Sequence, residues 1–226
     1  MSHGLELLVE RLGVSISQDL LTQALTHRSY SYENGNQPNN ERLEFLGDSV
    51  LGFVVTAELF NRFGELQEGE LSSLKNSVVS AKALAEIAAS IDLGAFLLLG
   101  KGEEKTGGRE KGNLLADAFE AILGATFIEH GLPEASALVA RFVFPLLDNH
   151  AQLLLNSEPK TKLQELAQAR SLSAPVYAST HTGPDHDRIF SATVTVGEVV
   201  ATGQARGRKA AESEAAIAAL KALGDS

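Results

Sequence analysis

Cysteine and tryptophan are absent from these 226 residues, and methionine occurs once. Without cysteine there can be no disulfide, no thiolate metal site and no cysteine nucleophile. That suits a reducing compartment, and a cytoplasmic location is the expectation. Aromatic residues are also scarce at 6%, yet 44% hydrophobic residues are enough for buried cores. No apolar run approaches the roughly 18 residues of a membrane-spanning helix. The opening MSHGLELLVERLGV carries early acids in a helical period, so it is expected to be neither signal peptide nor anchor. No membrane partner is expected.

Positive charge is the other shortage. The chain has 19 Lys+Arg against 29 Asp+Glu, a net charge of −10 that argues at first against a nucleic-acid partner. The imbalance is local. Residues 1–150 hold 11 Lys+Arg and 21 Asp+Glu, whereas residues 151–226 hold 8 of each. An acidic body beside a neutral module suits a protein that gathers cations in one part and grips phosphate with the other.

What the chain does have is acid in columns. Read as a helix, ERLEFLGDSVLG places Glu41, Glu44 and Asp48 at i, i+3 and i+7, within an arc of roughly 60°. Leu43, Leu46, Val50 and Val54 point towards a core. Like charges so spaced destabilise a helix by about 0.2–0.5 kcal/mol per pair, and a divalent cation with oxygen ligands would offset this. A second column follows in LADAFEAILGA, with Asp117 and Glu120 at i and i+3. Gly124 on that helix and Gly52 on the first are expected to leave room beside the acids. A single acid pair is also the ordinary pattern of a solvated helix face, so spacing alone supports a metal site without naming a substrate. Glu-x-x-His pairs for a di-iron centre and clustered aspartates for prenyl-diphosphate chemistry are both missing.

Helical periods cover residues 5–12, 17–26, the stretch from Glu41, the stretch after Gly69, 80–91, 113–130 and 134–147, the last broken at Pro145. Residues 34–40 read as a polar loop ending in a cap at Asn39 or Asn40. Gly100 to Asn113 reads as a mobile glycine- and charge-rich loop, whose Lys101, Lys105, Arg109 and Lys111 are candidates for phosphate contact. Glu65, Glu68 and Glu70 read as a solvated loop, and His27 as a structural histidine. The first domain, residues 1–154, is therefore all-α. NSEPK reads as a short linker. Residues 158–226 read helix (161–170), strands (175–181, 188–196, 198–205) and an alanine-rich helix (207–223), an α-β-β-β-α order. In the middle strand Phe190, Ala192, Val194 and Val196 alternate with Ser191, Thr193 and Thr195.

ERLEFLGDSVLG resembles the ribonuclease III signature at every defining position. KGNLLADAFEAILGA, ALTHRSY and LGKGEEKTGG resemble further stretches of that family, so the match spans the first domain. The α-β-β-β-α order resembles a double-stranded-RNA-binding domain. The resemblance implies a magnesium-dependent endoribonuclease, with Mn2+ able to substitute, that hydrolyses double-stranded RNA as a homodimer. Products with 5′-phosphate and 3′-hydroxyl ends and short 3′ overhangs would follow, with ribosomal precursors and other structured transcripts as substrates. It implies Glu44, Asp48, Asp117 and Glu120 as metal ligands, Asp48 and Glu120 as catalytic acids, and Glu41 as a supporting acid. It implies RNA contacts at Gln164, Glu165, His186, Arg206, Arg208 and Lys209. Where the family carries Gly-x-Gly-x-Ser-Lys-Lys-x-Ala this chain reads GQARGRKAA, keeping the charge at Arg208 but replacing a glycine by Ala205 and the serine by Gly207. A non-catalytic double-stranded-RNA-binding regulator is the rival, and the intact set of acids speaks against it. A metal-storage bundle is at odds with the C-terminal module.

Overall fold

The computed structural model describes residues 3–184 and 187–224 and divides into two compact units, residues 1–149 and 150–226. The first is helical: α1 (His3–Leu12), α2 (Gln18–Leu25), α3 (Arg28–Glu33), α4 (Glu41–Arg62), α5 (Glu68–Val78), α6 (Ala81–Ser90), α7 (Lys101–Lys105), α8 (Gly112–His130) and α9 (Leu132–Phe142). Short 3₁₀ turns cover Leu93–Phe96, Gly108–Glu110 and Phe144–Asn149. The second unit holds α10 (His150–Ser157), α11 (Pro159–Ala169), β1 (Val176–Thr182), β2 (Ile189–Val196), β3 (Val199–Ala205) and α12 (Arg208–Gly224).

The core of the first unit is α8. From Leu114 to Thr126 its residues are buried except Asp117 and Glu120, which are half-buried. A helix apolar on nearly every side must be surrounded, and α2, α4, α6 and α9 pack around it. The closest packing is with α4. A Cβ on Gly47 would overlap the Glu120 carbonyl oxygen, and one on Gly124 would overlap the Leu43 carbonyl oxygen. Two glycines therefore face each other across the crossing and let the backbones touch. Gly52 lies elsewhere: a Cβ there would approach only the Lys75 side chain, at 3.8 Å. Gly124 does not work as the sequence suggests. Gly124 serves helix approach rather than open space, and its counterpart is Gly47.

The glycine-rich stretch from Gly100 is not a loop. It folds as α7 and a 3₁₀ turn because its cations are used internally. Arg109 donates to the carbonyls of Gly94, Ala95 and Leu97 at 2.9, 3.1 and 2.9 Å and to Glu104 at 2.7 Å. Lys111 donates to Glu103 at 2.5 Å and to Thr106 at 2.8 Å. Residues 28–33 are likewise helical, and Pro145 sits in a 3₁₀ turn after α9 has ended. The stretch read as a linker, NSEPK, spans the end of α10 and the start of α11. Glu68 and Glu70 open α5, where the Glu70 carboxylate accepts from the Gln67 backbone N–H.

In the second unit the strands form an antiparallel sheet in the order β1-β2-β3, with Val176 opposite Thr195 and Val196 opposite Val199. Ala192, Val194 and Val196 turn inward to Leu163 and Ala167 of α11 and to Ala211, Ala215 and Ala219 of α12. The alternation in β2 thus marks the core face, as a two-residue period requires. The alanines of α12 have a steric reason. β3 passes so near that a Cβ on Gly203 would meet the Ala211 carbonyl oxygen at 2.5 Å.

Gly124→Val forces apart the two helices that carry the acids. We expect a loss of about 1–3 kcal/mol, the usual cost of overpacking, read as a lower thermal midpoint of the first unit. An unchanged midpoint would show that the α4–α8 contact is not tight in solution.

Candidate active site: carboxylates across a helix crossing

The Gly47–Gly124 contact decides what the acid columns can do. It sets the first turns of α4 against the middle of α8, and ligand oxygens of Glu44, Asp117 and Glu120 come within 4.8 Å of one another. All three are half-buried. Asp48, one turn beyond Glu44, is exposed and falls outside that group, but its carboxylate leads the neighbouring charges that act on Glu120. Glu41 is exposed, accepts from Asn39 Nδ2 at 3.0 Å and lies 3.7 Å from Arg28. Asn39 Oδ1 in turn accepts the Glu41 backbone N–H at 3.2 Å, so Asn39 caps the helix. Asn40 is buried, and its N–H donates to the Thr26 carbonyl oxygen at 2.9 Å.

Crowding of like charge out of water leaves a clear electrostatic signature. Burial pushes the Glu120 carboxyl up to about 8, and the Asp48, Asp117 and Glu44 carboxylates push the same way. Glu44 is raised by burial, then by Asp117, Glu41 and Asp48, against the opposing charge of Arg28. Asp117 is raised by burial, with His27 and Arg28 opposing. A pile of desolvated carboxylates is unfavourable unless protons or a cation neutralise it. The donor set fits a hard divalent ion. Opposite ligands around Mg2+ lie about 4.2 Å apart, and the three oxygens, all within 4.8 Å of one another, are close enough for one ion to gather.

A cavity of about 780 Å³ opens beside Glu44 and Asp117. Its walls include His27, Arg28, Tyr32, Asn40, Lys111 and Asn113. His27 is structural, because its Nδ1 accepts the Ser29 N–H at 3.2 Å and caps α3, and burial lowers its pKa. Arg28 is not marked out by the sequence. It lies beside His27 in THRSY, but nothing local says that it reaches Glu41, thirteen residues on. Of the basic residues between 101 and 111, Arg109 and Lys111 are committed to internal bonds. Lys101 and Lys105 are exposed.

In the second unit Gln164 and Glu165 are exposed on α11, and Lys209 is exposed at the start of α12. Arg206 is 89% exposed and 3.8 Å from Asp187. Arg208 pairs with Glu212 at 3.0 Å. His186 lies outside the described residues.

Comparison with known proteins agrees with this architecture. The ribonuclease-III-like family pattern matches residues 17–147, and the double-stranded RNA binding motif matches residues 159–223. A protein named Ribonuclease 3 from Leifsonia xyli subsp. xyli is 52% identical over 217 residues, covering 96% of this chain and 92% of the relative. The crystal structure of the nuclease domain of ribonuclease III from Campylobacter jejuni superposes with a TM-score of 0.60 at 42% identity, over 64% of this chain and 96% of that one. Another structure of that domain, with a TM-score of 0.59 at 42% identity over 62% of this chain and 96% of that one, is described as flexible in a region involved in dimer formation. A helical unit carrying a two-helix acid cluster, followed by an α-β-β-β-α unit, is the architecture of a two-domain nuclease. The chain belongs to the ribonuclease III family. No described helix is long and apolar enough to cross a membrane.

The raised Glu120 pKa has a consequence for stability. Without metal, the folded protein holds a proton on Glu120 up to about pH 8, whereas an unfolded glutamate releases it near 4.5. The folded state binds more protons in that window, so stability falls as pH rises across it. Calorimetry in chelator should show that fall. Glu120→Gln should make it shallower and raise the midpoint at pH 8.5. A pH-independent midpoint in the parent protein would contradict the crowding.

Proposed function

We propose that this protein is an endoribonuclease that hydrolyses double-stranded RNA with Mg2+, for which Mn2+ can substitute. The observation that carries this reading is the convergence of Glu44, Asp117 and Glu120 across the α4–α8 crossing, in a chain of this family. These three carboxylates hold the cation, and Asp48 completes the set on its exposed side. A bound divalent ion supplies Lewis acidity, neutralising the scissile phosphodiester and easing deprotonation of the attacking water. The chain does the rest by positioning. Glu120 would hold the ion as a carboxylate, its proton passing to solvent. Asp48, beside Glu120 and open to solvent, orients the water and takes part in its deprotonation. Arg28 steadies Glu41 and offsets the negative field at the mouth of the cavity. Hydrolysis leaves 5′-phosphate and 3′-hydroxyl ends. Ribosomal precursors and other structured transcripts in the cytoplasm are the substrates, and Gln164, Glu165, His186, Arg206, Arg208 and Lys209 supply contacts to the duplex from residues 158–226.

The active form is a homodimer. Phe45, Phe53 and Phe60 are 77%, 61% and 73% exposed along α4. Their spacing of eight and seven residues keeps them within about 80° on the helix. Three phenylalanines in one exposed stripe are unfavourable in water and call for a partner. A second copy fits, because the same helix carries Glu44 and Asp48. Pairing there brings two acid clusters to one duplex, each cutting one strand, and a stagger between the cuts gives short 3′ overhangs.

Asp48→Asn and Glu120→Gln should each lower cleavage of a long RNA duplex in Mg2+ by at least a hundredfold while changing its Kd less than threefold in chelator. Cleavage at the parental rate by either variant refutes the assignment. Phe53→Glu should sediment as a monomer and lose double-strand cleavage. A dimer that persists in this variant places the interface elsewhere.

A further inference from the structure

Glu212 is an acid in the interior of a unit expected to bind a polyanion. Its side chain is only 9% exposed, and three elements supply its partners. Lys160 of α11 donates to Oε2 at 2.6 Å, Arg208 of α12 donates through Nε to Oε1 at 3.0 Å, and Ser179 of β1 donates to Oε1 at 3.2 Å. These donors, Lys160 first, hold the Glu212 carboxyl below the usual range. The Lys160 ammonium also sits 4.5 Å from the centre of the Tyr177 ring, which further fixes that side of the carboxylate.

The manner in which Arg208 is held matters. Glu212 engages Nε, and the two terminal nitrogens of Arg208 are bonded to none of the described residues. The side chain is 67% exposed. Arg208 also stands at the first position of α12, where the positive end of the helix dipole disfavours a cation. A carboxylate one turn on offsets that field and fixes the guanidinium plane, leaving one edge to solvent. That edge matches two oxygens of a phosphate.

We propose that Glu212 is a positioning residue for phosphate recognition, which pre-orients Arg208 so that the terminal nitrogens of its guanidinium meet the backbone of duplex RNA. This rests on the reading of residues 158–226 as a binder of duplex RNA. The acid then strengthens binding to a polyanion, because the ordering of a long side chain is completed before the ligand arrives. Arginine is needed for this and lysine is not equivalent. A lysine keeps the charge, but its single nitrogen cannot be fixed by Glu212 and also offer a planar pair of nitrogens to two phosphate oxygens.

The test is a double-mutant cycle on the full chain, with binding of an RNA duplex of about 20 base pairs, enough for one such domain, measured in chelator. Glu212→Gln should weaken binding about three- to tenfold, the range expected for losing one pre-ordered side chain. In an Arg208→Ala background the same substitution should add less than about twofold, because its effect runs through Arg208. Tighter binding by Glu212→Gln would mean that the acid merely subtracts charge. Equal weakening in both backgrounds would mean that it acts through Lys160 as scaffold. Either result overturns the proposal. Should Glu212→Gln fail to fold, Arg208→Lys at an exposed position decides: binding at least threefold weaker than the parent supports the proposal, and parental affinity overturns it. Failure of the parent protein itself to bind the duplex is a different result, and refutes the reading of the unit instead.

Discussion

The close crossing of α4 and α8 is the constraint on which the first unit depends. Gly47 and Gly124 remove the side chains that would hold the helices apart, so each helix meets the other's backbone directly. The same contact sets the acids. Glu44 lies one turn before Gly47 and Glu120 one turn before Gly124, so bringing the glycines together also brings the carboxylates together. Packing and site are one arrangement. The apolar surface of α8 supplies the favourable free energy, and the burial of Asp117 and Glu120 is its electrostatic cost.

Cations are few in this protein, and the fold uses many of them internally. Arg109 closes three backbone carbonyls, Lys111 ties α7 to the start of α8, and Lys160 and Arg208 share Glu212. Among the described residues, no lysine forms an ion pair with Glu44, Asp117 or Glu120. Arg28 approaches Glu41 rather than the three converging carboxylates. Three acids that share no ion pair with a cationic side chain among the described residues suit a cation from solution, which can be hydrated and exchanged during turnover as a tethered ammonium cannot.

Much of the architecture is legible from local pattern. The i, i+3, i+7 acids of α4, the i, i+3 acids of α8 and the alternation in β2 follow from the 3.6- and two-residue periods, which tertiary context does not alter. The short helices are not legible. α3 and α7 are six and five residues long, too short to persist alone. They are held by distant partners: Ser29 Oγ accepts the Gly100 N–H at 2.9 Å, and the Glu33 carboxylate accepts the Lys101 N–H at 3.1 Å. Phosphate contact by Arg109 and Lys111 is a reasonable expectation for charged residues among glycines. What the sequence could not show is that carbonyls of the preceding turn and Glu103 converge on these two side chains.

The glycines show most clearly where local reading ends. Gly47 and Gly52 lie five residues apart on α4, about 140° around the helix, and both stand near acids in the sequence. Only the packing of α8 selects Gly47. The sequence by itself determined that two helices would each present a column of carboxylates and that a separate α-β-β-β-α unit would follow, because helix and strand geometry fix which residues share a face. The tertiary structure decided which acids meet, that Asp48 stands outside the converging three, that Arg28 reaches Glu41, and that an acid in the second unit holds its arginine. Apart from Arg208–Glu212, an i, i+4 pair on one helix, those are contacts between residues from 13 to 76 positions apart, set by how closely backbones approach rather than by any local period.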